Sequence, residues 1–281
     1  MLSVYSNCYL IEINDNNEEN MTAIDAKYFK EYREKLGFTN QGGIKAFFAA
    51  KDITPTVDYG YIDLLNTRLE EIVKKINQLV DKSIKIENSE RFCDENIKRV
   101  FNKLKSHNIL PRLNNQGRRP EEVYFSWMRG FVISSYFMNA LQQIFEVDIK
   151  DITLIGDDDL ENIEFFKRTP KADLQINLKN GEKIRIEVQS GFQGINDIKQ
   201  HKVLEAGKIK RETGASSMVI HFDLFNGQVA FVKIDEINDD NINWITRQQM
   251  EGQTVFNIDQ NYFVWKLMEK PPKYSDLRNQ E

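Results

Sequence analysis

Two runs of alternating residues, joined through Asn180-Gly181, constrain this 281-residue chain more than any other feature. Leu174, Ile176 and Leu178 alternate with Asp173, Gln175 and Asn177, so a strand here has one apolar and one polar face. Ile184, Ile186 and Val188 form the apolar face of a second strand, whose polar face carries Lys183, Arg185, Glu187 and Gln189. Asn-Gly by default predicts a two-residue type I′ turn. That turn pairs residues whose numbers sum to 361, setting Leu174 against Glu187 and Ile176 against Arg185. Such a register mixes the two faces, which the pleat penalises. A three-residue loop, Lys179-Asn180-Gly181 with Gly181 left-handed in a bulge, makes the sum 360 instead. Leu174 then faces Ile186, Ile176 faces Ile184, and Asp173 is expected directly opposite Glu187.

Directly paired positions hold their Cβ atoms roughly 5 Å apart. Two carboxylates that close repel unless something offsets them, and at neutral pH the usual partner is a divalent cation. Oxygen donors favour Mg²⁺, which typically takes one or two carboxylates and keeps waters or substrate phosphate oxygens. The backbone carbonyl of Val188 is a candidate further ligand. Gln189, on the same face as Glu187, has an amide that donates and accepts, and so can orient a water. Together these residues point to a metal-activated water attacking a phosphodiester in line. The competing reading is a solvated hairpin face with cross-strand charge pairs, but that would more naturally set Lys than Asp opposite Glu.

The surrounding order predicts an α/β core. Pro120 suits the first position of a helix, and Val123, Trp127, Phe131, Ser134, Met138, Leu141 and Phe145 then form one stripe. Strand-like runs follow at IKDITLI, ADLQINL and KIRIEVQ. A helix is expected over Ile195 to Glu212, then strands at SMVIHFDLF and QVAFVKI. Thr169-Pro170-Lys171-Ala172-Asp173 followed by Glu187-Val188-Gln189 resembles the PD-(D/E)xK nuclease superfamily, the fold of most type II restriction endonucleases. Two departures stand out: two residues separate Pro170 from Asp173, and Gln189 replaces the final Lys, as in the ExQ subset of these enzymes. The resemblance covers about Glu121 to Ile234 and implies a restriction endonuclease-like αβββαβ core with a mixed sheet. It further implies that Asp173 and Glu187 bind Mg²⁺ and that Gln189 is catalytic but only orients. The missing charge then falls to Lys183, Arg185 or a second metal ion. Glu121 or Glu122 is the candidate acid from the first core helix, with Glu122 favoured, although an acid there also suits the helix dipole. The crossover helix would run along DNA, with Lys199 and Lys202 at phosphates and Gln193 and Asn196 at base edges.

The implied activity is Mg²⁺-dependent hydrolysis of double-stranded DNA leaving a 5′-phosphate, as in a type II restriction enzyme. A homodimer and a cognate DNA methyltransferase are the implied partners. A structure-specific repair or recombination nuclease, and a DNA-binding regulator inert because Gln189 cannot replace Lys, are the alternatives.

Residues 1–112 read as a mainly helical domain, for DNA recognition or dimerisation, and 113–281 as the nuclease-like domain. Helices are expected over Ala26 to Leu36, ending at Gly37, and through Phe47 and Phe48 with Thr39 or Asn40 as cap. A longer one is expected from about Asp58 to Asp81, with Ile62, Leu65, Leu69, Ile72, Ile76 and Leu79 inside. A further helix from about Ser89 to Ser106 buries Ile97, Val100, Phe101 and Leu104. Short helices with tight turns suggest a helix-turn-helix-like module, and a plain helical bundle fits as well. The net charge of −5, from 38 Lys and Arg against 43 Asp and Glu, argues mildly against nucleic acid. Its distribution argues otherwise. Acids gather early, at Glu12, Asp15, Glu18, Glu19 and Asp25, whereas Ile97 to Pro120 holds Lys98, Arg99, Lys103, Lys105, Arg112, Arg118 and Arg119 and no acid. The apolar stretch Phe131 to Phe145 is too interrupted to span a bilayer. The acidic N-terminus does not read as a signal peptide, so a cytoplasmic location is expected. Two cysteines and three isolated histidines exclude a disulfide framework and a Cys or His zinc site.

Overall fold

The computed structural model describes residues 26–50, 52–113, 118–156, 160, 163–166, 173–237, 242, 244–247 and 252–278. Contacts divide the chain into two compact units between Ile53 and Thr54. The first contains α1 (Ala26–Lys35) and α2 (Gln41–Phe48). Gly37, at φ +85°, takes the left-handed conformation after α1, and Asn40 caps α2 by accepting from the Gly43 N–H at 2.8 Å. Neither helix contains a buried residue.

The second unit opens with α3 (Tyr59–Leu79), capped by Asp58, whose carboxylate accepts from the Tyr61 N–H at 2.9 Å. Its buried stripe is Ile62, Asn66, Leu69 and Val73; Leu79, expected inside, is 65% exposed, because the helix ends there and Val80 turns in instead. The predicted helix from Ser89 to Ser106 forms as α4 (Ser89–Cys93), a π-helical turn at Asp94–Lys98 and α5 (Arg99–Ser106). Ile97, Val100, Phe101 and Leu104 are buried in it as the spacing requires. Next come α6 (Pro120–Tyr136) and α7 (Met138–Phe145). α6 buries Tyr124, Met128, Val132 and Ile133 as well as Val123 and Trp127, so it lacks the single stripe that its sequence suggests. It packs against both α3 and the sheet and is covered from two sides.

The strands are β1 (Ile152–Leu154), β2 (Leu174–Asn177), β3 (Lys183–Gly191), β4 (Asp197–Lys199), then α8 (Gln200–Thr213), β5 (Ser216–Asp223), β6 (Gln228–Lys233), β7 (Ile245–Arg247), β8 (Gln253–Asn257), β9 (Phe263–Lys266) and a terminal helix α9 (Tyr274–Arg278). A six-stranded mixed sheet has the order β1-β2-β3-β5-β6-β9, with β3 and β5 parallel and the other neighbours antiparallel. α8 makes the crossover between the parallel pair. The chain is therefore α/β, with the helix–three strands–helix–strand order that the sequence predicts and a mainly helical region before it. α8 begins at Gln200 rather than Ile195 because Asp197–Lys199 is drawn into a second sheet, β4-β8-β7.

One core joins α3 to α7 with Leu174, Ile176, Ile184, Ile186 and Phe222 of the sheet. A smaller one, with Ile198, Val203, Ala206, Val219 and Val232, lies on the α8 side. Leu110 and Leu113 belong to the first core, together with Val123, Tyr124 and Met128 of α6. Among the described residues, no helix is long and apolar enough to cross a membrane.

Candidate functional site

The hairpin adopts the register that its apolar face selects. Leu174 pairs with Ile186, Gln175 with Arg185, Ile176 with Ile184 and Asn177 with Lys183. Gly181, at φ +87°, closes a three-residue loop in which the Leu178 N–H donates to the Glu182 carbonyl at 2.8 Å. Asp173 lies one residue beyond the ladder. Its N–H donates to the Ile186 carbonyl at 3.0 Å, and its carboxylate accepts from the Val188 N–H at 2.7 Å. The carboxylate is thus turned along β3 toward Val188, a local departure from direct opposition to Glu187. A residue in a strand sends its N–H and carbonyl to the same side, so the Val188 carbonyl belongs to the edge that Asp173 occupies. The segment 169–172 preceding Asp173 lies outside the described residues.

Glu187 and Gln189 point to the α8 side of the sheet. Glu187 is only 15% exposed and accepts from the ammonium of Lys202 at 2.7 Å; Lys202, in the first turn of α8, is 14% exposed. Both line a cleft of about 400 Å³ with Gln175, Arg185, Glu205 and Lys208. Gln189 lines a second cleft of about 360 Å³ with Gln193, Lys199, His221 and Arg247. Among the described residues no three His, Cys, Asp or Glu side chains gather to hold a metal ion. Two carboxylates and one carbonyl edge nonetheless match in kind what Mg²⁺ takes from a protein when waters and phosphate oxygens complete its shell.

The remaining expected residues fall into different places. Glu121 is 1% exposed and accepts from the N–H of Asp58, the cap of α3, while Glu122 accepts from the Arg119 N–H at 3.4 Å at the start of α6; both acids thus serve helix starts. Asn196 is buried with both ends of its amide engaged, so it is removed from the set of base-reading side chains. Lys202, expected at a DNA phosphate, donates to Glu187. Gln193 is exposed and Lys199 half-buried. In the basic stretch, Lys98 pairs with Glu70 at 3.5 Å, Arg99 with Asp94 at 3.2 Å and Arg119 with Glu121 at 3.4 Å. Lys103 donates to the Leu160 carbonyl, Lys105 stands 4.5 Å from the Tyr59 ring centre, and Arg118 is exposed.

Sequence reasoning missed a polar cluster beside Gln189. His221, paired with Gln189 across the parallel strands, is 3% exposed, and its Nε2 lies 2.7 Å from the Asn196 Oδ1. The Asn196 Nδ2 donates to Asp223 at 3.3 Å. That leaves Asn196 Oδ1 as an acceptor, so His221 carries its proton on Nε2. Burial pushes the imidazole from 6.5 down to about 4 against the pull of Asp223 and Asp197. Asp223 is fully buried; burial raises its carboxyl, but bonds from Asn226, Gln228 and Asn196 bring it below the ordinary value. The signal was present as His221-Phe222-Asp223, two polar residues at strand spacing facing one side.

No protein-family model and no curated protein matches the chain. Among solved structures it is similar to Hjc of Archaeoglobus fulgidus, a Holliday junction resolvase from an archaeal hyperthermophile. The match covers 45% of this chain and 87% of that one, with 13% identity and a TM-score of 0.28. A score that low does not place this chain in that protein's family.

Proposed function

We propose that the protein is a Mg²⁺-dependent endonuclease that hydrolyses phosphodiester bonds of double-stranded DNA, acting as a type II restriction enzyme. The observation that carries this reading is the hairpin register. It brings Asp173 to the Val188 edge of β3, one residue from Glu187, within the α6–β1–β2–β3–α8–β5 order. Asp173, Glu187 and the Val188 carbonyl would hold the ion, which when bound supplies an activated water at neutral pH and a counter-charge for the phosphate. Asp173 is held in place by the Val188 N–H, so its second oxygen has a fixed direction. Gln189, two residues on and on the same face as Glu187, positions water through its amide. Cutting both strands of a symmetric site favours a homodimer, and protecting the host's own sites calls for a DNA methyltransferase.

The test is incubation of methylated and unmethylated plasmid, and of a branched DNA, with the protein and Mg²⁺. Discrete fragments from the plasmid, abolished in Asp173→Ala, are expected. Cleavage of the branched substrate alone would replace site-specific restriction by structure-specific cutting. Binding of DNA without cleavage of any substrate would overturn the enzymatic reading.

A further inference from the structure

The site described above has a neutral amide at position 189, where a cation would ordinarily face the reacting phosphate. Among the described residues, an ammonium reaches the site from a different element. Lys202 Nζ is 2.7 Å from Glu187 Oε2, and the two side chains are 14% and 15% exposed. Three features argue against a merely structural pair. A withdrawn ion pair is weak support for stability, because desolvation offsets the attraction. A cation in the first turn of a helix opposes the helix dipole, and α8 has no acid in that turn to compensate. The pair also opens on a cleft of about 400 Å³ instead of being packed over by apolar side chains. Arg185 and Lys208 line the same cleft, and Lys202 is in direct contact with Glu187.

We propose that Lys202, carried by the crossover helix α8, is the cationic catalytic group of the site and contacts the scissile phosphate once a divalent ion takes over Glu187. This rests on the nuclease reading. In hydrolysis the water oxygen forms a bond to phosphorus and the bond from phosphorus to O3′ breaks. One water proton goes to the leaving 3′-oxygen, giving a 5′-phosphate and a 3′-hydroxyl. Lys202 keeps its proton throughout and offsets negative charge on the phosphoryl oxygens. In the metal-free protein the same ammonium neutralises Glu187, so it competes with the divalent ion for that carboxylate.

The experiment compares wild type, Lys202→Met and the double variant Gln189→Lys/Lys202→Met. It uses Mg²⁺-dependent plasmid cleavage, calorimetric titration with Mn²⁺ in the absence of DNA, and thermal melting. Lys202→Met should lose cleavage by at least about 100-fold. It should bind Mn²⁺ at least as tightly as wild type, because its internal competitor is gone. The double variant, with the charge returned on the strand, should recover at least about tenfold of the loss. Should Lys202→Met fail to fold, Lys202→Gln, which still donates to Glu187 but carries no charge, takes its place with the same expectations. Cleavage within about threefold of wild type, loss of Mn²⁺ binding, or no recovery in the double variant would overturn the assignment of Lys202 alone. Wild type that cleaves no DNA overturns the nuclease reading, and the assignment with it.

Discussion

Glu187 and Asp223 are two withdrawn carboxylates on adjacent parallel strands, facing the same side of the sheet and satisfied in opposite ways. Asp223 accepts from neutral donors: the Phe225 N–H at 3.1 Å, the Asn226 N–H at 3.2 Å, and the side-chain amides of Asn226, Gln228 and Asn196 at 2.7, 3.2 and 3.3 Å. Glu187 is met by a cation at the end of a long flexible stem, the Lys202 ammonium at 2.7 Å. Backbone N–H groups and short amides cannot leave without unfolding the turn that holds them. An ammonium with four rotatable bonds can exchange with another cation. The first arrangement therefore builds structure and the second leaves room for chemistry.

The largest test of that contrast is Glu187→Gln. Cleavage should fall by about 100- to 1,000-fold, while the melting temperature changes by no more than a few degrees, since the new amide oxygen still accepts from Lys202. Single-turnover cleavage and calorimetry measure both. Asp223→Asn should do the reverse. It would place an amide nitrogen among donors and destabilise the fold by about 3 kcal/mol in denaturant unfolding, with folded protein still able to bind Mn²⁺. Equal destabilisation in the two variants would erase the distinction.

Acid probes the same contrast through His221. Its folded value of about 4 lies below the ordinary 6.5, so the unfolded chain takes up the proton first as pH falls. The resulting stability is fully present above about pH 6.5 and is lost as pH drops toward 4, by at most about 3 kcal/mol. Asp223, also lowered, adds loss in the same direction at the acid end. Unfolding midpoints measured from pH 7 to 4 should decline in wild type and flatten over the upper part of that range in His221→Gln.

How far the sequence reached depends on the range of the interaction involved. The hairpin was legible because period-2 alternation and one left-handed glycine decide the register within sixteen residues, and both are local. The crossover order and the caps at Asn40 and Asp58 were legible for the same reason. The basic stretch was not. Ile97 to Pro120 has no acid of its own, yet Glu70, Asp94 and Glu121 reach Lys98, Arg99 and Arg119 from the flanks and from α3. A charge window along the chain ignores neighbours in space. The pairing of Lys202 with Glu187 escaped, although Lys202 itself was singled out, because its position depends on where α8 begins. That start was displaced by β4 pairing with β8, a contact across more than fifty residues with no periodic signal of its own. Asn196 misled for a related reason: an amide reads as a base-recognition group until the fold closes Asp223 and His221 over it.

The smallest effect expected concerns Gly191, where space and not backbone conformation calls for glycine. Gly191 pairs with Asp223 across the parallel strands, and its carbonyl accepts from the Leu224 N–H at 2.8 Å. A Cβ added there would stand 2.8 Å from His221 Nε2, 3.1 Å from its Cε1 and 3.2 Å from Asn196 Oδ1. The ring and amide are joined to each other and through Asn196 to Asp223, so neither can retreat without stretching the cluster. Gly191→Ala should therefore cost about 1–2 kcal/mol, the ordinary range for overpacking, measured by urea unfolding. The His221 Nε2 proton, slowed in exchange by its bond to Asn196, should exchange faster in the variant. The Lys202–Glu187 pair lies outside this cluster, so metal binding should stay at the wild-type level. A loss of Mn²⁺ affinity in Gly191→Ala would show that the two carboxylates are mechanically coupled and that the division between them is too sharp.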